Sequence, residues 1–165
     1  MFNLSSDAAP TGGRPAAGTL TRAKVEIRND ATEKAGVVKV WFVLPGGFEF
    51  SNTYHLTEKG TPFFSQAAAK ILEGAGETVD GNPRYEKMNS VQDVLRAIHG
   101  KNAVIETGEE ENNDKTYVKL ANILSPNPRR GTKDKWEKFL AQGDKPATTV
   151  SAPKTKKPDD NPFGI

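Results

Sequence analysis

The chain holds 165 residues, enough for one hydrophobic core with flanking tails, and its 35% hydrophobic fraction with 15 Gly and 11 Pro leaves part of it unable to offset the entropy of ordering. It has no Cys, which excludes disulfides, thiolate metal sites and a cysteine nucleophile. The net charge of +2 is uneven: residues 1–124 carry 14 Lys and Arg against 16 Asp and Glu, residues 125–158 carry 9 against 3, and Asp159 and Asp160 follow. A near-neutral body with a polyanion-seeking tail and an acidic tip is one reading of that asymmetry, and a merely solubilising tail is the other.

Residues 1–17, rich in Ala, Gly, Pro and Ser, read as a flexible arm. From Thr19 to Arg28, Ala23, Val25 and Ile27 alternate with Arg22, Lys24, Glu26 and Arg28, the period-two pattern of a strand with one wet face. Asn29, Asp30 and Gly36 mark a turn. Val37 to Leu44 form a second strand, with Val38, Val40, Phe42 and Leu44 on one side and Val37, Lys39, Trp41 and Val43 on the other. A Pro45-Gly46-Gly47 turn leads to a third strand, Phe48 to Leu56, with Phe48, Phe50, Asn52 and Tyr54 in phase.

The period then becomes helical. Thr61 is placed to cap a helix with Pro62 in its first turn and Phe64, Ala67, Ala68, Ile71 and Leu72 on one face, ending at Gly74 and Gly76. Glu77 to Asn89 reads as a polar loop, and Ser90 caps a short helix that aligns Val91, Val94, Leu95 and Ile98. Two further strands, Lys101 to Thr107 and Lys115 to Ile123, are joined through the acidic segment Gly108 to Asp114. The order βββ-α-ββ predicts a mainly β domain over residues 18–125, a five-stranded OB-type barrel with an inserted helix; an open antiparallel sheet with the helix across one face has the same order.

Residues 126–158 read as a basic linker rich in Pro and Lys. Within it Trp136, Phe139 and Leu140 predict a short helix over 132–142, docked on the chain's own barrel or on a partner.

Ala17-Gly18-Thr19, Phe48-x-Phe50-x-Asn52, Phe63-Phe64, Ile98-His99-Gly100-Lys101, Tyr117-Val118-Lys119 and Asn122-Ile123 together resemble a family of phage-encoded single-stranded DNA-binding proteins with an OB fold, often described as a phage domain of unknown function. The resemblance covers roughly Gly18 to Pro128. The tip over 159–165 carries Asp159-Asp160-Asn161-Pro162-Phe163, similar to the acidic tip of bacterial single-stranded DNA-binding proteins, although Gly164 and Ile165 follow here. The resemblance implies that Asp159, Asp160, Pro162 and Phe163 dock on replication, recombination or repair enzymes. Carboxylates would steer toward a basic pocket, and Phe163 would anchor in it.

Sequence-tolerant binding of single-stranded DNA needs aromatics for stacking and cations for phosphates. Trp41, in phase with Lys39, is the first stacking candidate; Tyr117, in phase with Lys119, is the second, and Tyr54 the third. Arg22, Lys24, Arg28, Lys39, Lys101 and Lys119 are candidates for a phosphate track. Taken singly, each cation is an ordinary solvated charge and Tyr54 or Tyr117 an ordinary core aromatic.

Nothing points to an enzyme: no catalytic residue, metal site or cofactor is expected. His55 and His99 lack metal-ligand spacing, Glu109 to Glu111 with Asp114 lack the pattern of a calcium loop, and neither Gly12-Gly13-Arg14 nor Gly74-Ala75-Gly76 is a phosphate cradle. No signal-like start is visible in Met1 to Gly18, and no apolar run approaches the roughly 20 residues that span a bilayer. The expected setting is the cytoplasm, that of the bacterial host for a phage-encoded chain, with single-stranded DNA and replication or recombination proteins as partners, no membrane, and a homo-oligomer left open. An adaptor of the same machinery with little DNA binding of its own is the alternative.

Overall fold

Alternation of apolar and polar residues sets the sheet. In the computed structural model, which describes residues 14–28 and 36–143, three strands come first: β1 Leu20–Glu26, β2 Val37–Val43 and β3 Glu49–His55. Three helices follow, α1 Thr61–Gly74, α2 Pro83–Glu86 and α3 Val91–Ile98, and then the hairpin β4 Asn102–Asn112 and β5 Lys115–Leu124. A 3-10 turn, Pro128–Arg130, leads to α4 Lys133–Ala141.

The strands make one antiparallel sheet in the order β3-β2-β1-β4-β5. Registers Val25↔Phe42↔Phe50 and Val38↔Tyr54 put the apolar phase of β1, β2 and β3 on one side. That side buries Val25, Val38, Val40, Phe42, Phe50, Ile105 and Ile123 against Phe64, Ile71, Leu95 and Ile98 of α1 and α3. Helix α1 touches β3, β4 and β5, so it lies across both edge strands. Those edges also approach each other, but no ladder joins β3 to β5 among the described residues. Among the described residues the sheet is therefore open between β3 and β5, with α1 packed against both edges.

Other boundaries differ as well. The helix cap is Gly60, not Thr61, whose Oγ1 instead donates to the Thr57 carbonyl at 2.7 Å. Only glycine suits position 60, since a Cβ there would lie 2.1 Å from the His55 carbonyl oxygen. The loop expected over Glu77 to Asn89 contains α2, capped by the Asn82 side chain, while Ser90 caps α3 at the Asp93 amide as its spacing predicts. The acidic segment Gly108 to Asp114 is strand rather than loop up to Asn112. It turns at Asn113 and Asp114, both with positive φ, which is the geometry of a tight two-residue hairpin.

The folded unit is also longer than 18–125. Arg14 to Ala17, expected in the flexible arm, are tied down: the Ala16 carbonyl accepts from the hydroxyls of Thr19 and Thr107, and Arg14 Nη1 donates to the Thr116 carbonyl at 2.8 Å. Residues 126–143, expected to open the linker, pack on the sheet. Phe139 of α4 is fully buried with Leu20, Val104 and Leu124, and the Gln142 amide donates to the Leu20 carbonyl at 2.8 Å. Residues 1–13 of the arm, 144–158 of the linker and the tip 159–165 lie outside the described residues.

Candidate nucleic-acid interface

The second face of the sheet is divided. At one end α4 covers Leu20, Val104 and Leu124, held by Lys135 on Glu106 at 2.7 Å. Burial alone would raise the Glu106 carboxyl, but hydrogen bonds from Lys135 and Asn122 outweigh it and hold it below the usual carboxylate range. Arg22 belongs to this covered end, with its guanidinium 5.5 Å from the Phe139 ring centre and one nitrogen 3.3 Å from the Gly74 carbonyl.

Over the other end, formed by β1, β2 and β3, no helix lies among the described residues. Here Trp41 and Lys39 of β2 face outward in phase, beside Lys24 and Glu26 of β1, because Glu26 pairs in register with Trp41. Arg28, just past β1, lays its guanidinium 4.2 Å from the centre of the Trp41 ring, and Lys39 Nζ lies 5.8 Å from the same centre. Two carboxylates fix Arg28 there: Glu26 at 2.9 Å and Glu49, in a two-point pair, at 3.0 Å. The Arg28 hydrogen bonds hold the Glu49 carboxyl below its ordinary range, and those of Glu49 and Glu26 raise Arg28 further. The Trp41 Nε1 is buried and has no hydrogen-bond partner among the described residues. Lys24 is exposed and borders an open groove of about 270 Å³ lined by Arg22, Ala23, Val43, Leu44, Pro45 and Asn102.

Four other candidates lie elsewhere. Tyr54 points to the core side and packs on Phe64 with ring centres 5.7 Å apart; burial raises its phenol. Lys101 pairs with Glu77, which also accepts from the Tyr85 hydroxyl. Tyr117 and Lys119 are exposed on β5, but Tyr117 sits opposite Glu110 in register and Lys119 opposite Gly108, away from Trp41. Arg28, Lys39, Trp41 and Lys24 are thus brought together, Arg22 borders them, and Tyr54, Lys101, Tyr117 and Lys119 are separate. Asp159, Asp160, Pro162 and Phe163 lie outside the described residues.

Sequence reasoning missed the two carboxylates. Glu26 was legible as the residue two before Arg28 on the same face; Glu49 was not, since its place depends on the register across β1, β2 and β3. It also missed Arg130, read as linker charge. The Arg130 guanidinium meets Glu73 at 2.9 Å and Asp80 at 2.8 Å, with Asn127 and Ser125 on the same carboxylates. Burial pushes Glu73 up, yet Arg130, Asn127 and Ser125 together bring it below its ordinary value.

Among the described residues no group of His, Cys, Asp and Glu is placed to hold a metal ion, and no helix is long and apolar enough to cross a membrane. His99 Nδ1 accepts from the Ile27 amide at 3.0 Å, a backbone-pairing role. Comparison with protein-family models and with curated proteins finds no match for this chain.

Proposed function

We propose that this protein binds single-stranded DNA without sequence preference, on the open half of the sheet around Arg28 and Trp41. The observation that carries the reading is the Arg28 guanidinium held 4.2 Å from the centre of the Trp41 ring, on a cation-bearing sheet face that no described helix covers. A guanidinium beside an aromatic ring gives a nucleobase two groups to stack on, since bases stack on Arg planes as well as on aromatic rings. Lys24 and Lys39 flank it for phosphates. Stacking and phosphate contacts read no base edges, which is why such a surface tolerates any sequence. Glu26 and Glu49 neutralise Arg28 in the free protein, and a phosphate competes with them for it.

The fold that accompanies this reading is a five-stranded OB-type barrel with its seam between β3 and β5 under α1. In phage-type replication, recombination or repair, Asp159, Asp160, Pro162 and Phe163 recruit partner enzymes, and the protein acts in the cytoplasm without catalysis of its own.

The test is intrinsic fluorescence during titration with oligothymidylate at low and high salt, for the intact chain, Trp41→Ala and Arg28→Ala. Salt-sensitive quenching that is lost in Trp41→Ala, with weaker binding by both variants in a gel assay, supports the reading. Trp136, packed near Phe139 under the other half of the sheet, is the internal reference. If the intact chain binds no oligonucleotide even at low salt, the reading fails and the adaptor role takes its place.

A further inference from the structure

The β4–β5 hairpin outgrows its sheet. Strand β4 pairs with β1 only from Asn102 to Glu106, and the backbone bonds of Gly18 and Thr19 reach no further than Thr107. From Gly108 to Asn112 its only ladder partner among the described residues is β5. Five residues at about 3.4 Å each make a two-stranded arm about 17 Å long, joined to the body at one side by Val118 on the core and by Arg14 on the Thr116 carbonyl. Its far end carries Glu109, Glu110, Glu111 and Asp114, all exposed, and the positive φ angles of Asn113 and Asp114 set a tight tip. None of these four carboxylates forms an ion pair among the described residues.

A pocket of opposite sign lies on α2 and α3. It measures about 350 Å³ and is lined by Arg84, Lys87 and Arg96 over Met88 and Ala97, with Asp93 as its one acid. Asp93 pairs with Arg96 at 3.0 Å, and Arg84 approaches Glu77 at 3.8 Å; Lys87 has no ion pair among the described residues. Three exposed cations around an apolar floor suit a carboxylate-bearing segment that brings some side-chain stem with it.

Among the described residues no ion pair joins arm and pocket within one molecule. Helix α3 ends four residues before β4 begins, while the arm's tip is at the far end of that 11-residue strand, about 33 Å from its start. The two surfaces are different patches of the same chain, so a contact between them is head to tail and repeats from copy to copy. We propose that copies of this chain associate in this way, the acidic arm of one seated in the α2–α3 pocket of the next. The contact is salt-sensitive, because charges on both sides are solvent-exposed. It stands independently of the DNA-binding reading.

The test is sedimentation velocity of the full chain over a range of concentrations at about 0.05 and 0.5 M salt. Two charge-reversal variants accompany it, an arm variant with Glu109→Lys, Glu110→Lys and Glu111→Lys and a pocket variant with Arg84→Glu and Lys87→Glu. Circular dichroism checks that both are folded. The expected result is concentration-dependent association of the intact chain at low salt that is lost at high salt, monomers for either variant alone, and restored association when the two variants are mixed, since each then offers the complement of the other. Monomers of the intact chain under every condition overturn the proposal, and so does association that persists in either variant. If the intact chain is monomeric and the pocket variant instead loses oligonucleotide binding, the pocket belongs to nucleic acid and the arm is only a solubilising hairpin.

Discussion

Arg130 and Glu73, 57 residues apart in sequence, form a two-point ion pair at 2.9 and 3.0 Å with both side chains almost wholly enclosed. The pair fastens the turn after β5 to the last turn of α1. Breaking it from one side leaves a buried charge, which costs about 3 to 5 kcal/mol. Arg130→Ala is therefore expected to lower the denaturant midpoint strongly, while Arg129→Ala, whose side chain is mostly exposed, leaves it nearly unchanged. Urea titration of both variants checks this.

The same carboxylate predicts an acid limit. The folded-state value of Glu73 lies below its unfolded value of about 4.3, so its contribution is present in full above that pH and is lost as the pH falls through the folded value. Thermal midpoints of the intact chain should fall steeply below about pH 4, and Glu73→Gln should show a lower midpoint at neutral pH with a flatter acid branch. An acid branch of unchanged slope in the variant would remove Glu73 as a cause.

Phe139 is fully enclosed under α4, beside Trp136 at 6.0 Å between ring centres. Phe139→Ala leaves a void between the helix and Leu20, Val104 and Leu124, costing about 3 to 5 kcal/mol. Hydrogen exchange should show the amides of α4 losing protection well before those of β2, which α4 does not cover.

On the open face, Glu49→Gln removes the stronger of the two restraints on Arg28 while leaving the guanidinium beside Trp41. Oligonucleotide affinity at low salt is expected to rise several-fold in this variant. Lys39→Ala should reduce the slope of log affinity against log salt by about one. Fluorescence or filter-binding titrations at several salt concentrations read both effects, and an unchanged affinity in Glu49→Gln would place DNA elsewhere on the protein.

Local periodicity carried much of this architecture. The alternation around Ala23 and Val25, the phase shared by Phe48, Phe50 and Tyr54, and the Ser90 cap all have direct structural counterparts. What stayed hidden depended on long-range pairing. Glu109 to Glu111 have low strand propensity and looked like loop, but the partners Thr116 to Val118 hold them in a ladder. Pro126 to Arg130 looked like linker because Pro and positive charge dominate there, and only the distant Glu73 and Asp80 give Arg130 a buried place. The grouping of Arg28, Trp41 and Glu49 likewise required the registers of three strands. Tyr54, by contrast, was already in phase with Phe48 and Phe50, and its packing on Phe64 follows from that phase.

The hydrogen bond from Gln142 to the Leu20 carbonyl makes the last turn of α4 a neighbour of the first residue of β1. Helix α4 therefore closes back onto the strand that opens the sheet, 122 residues away in sequence. Tension applied at the C-terminal end of α4 is expected to load its contacts with Leu20, Val104 and Leu124 before any strand ladder. On that side the sheet is shielded by its own last helix, which stands between the chain beyond it and the strand ladders.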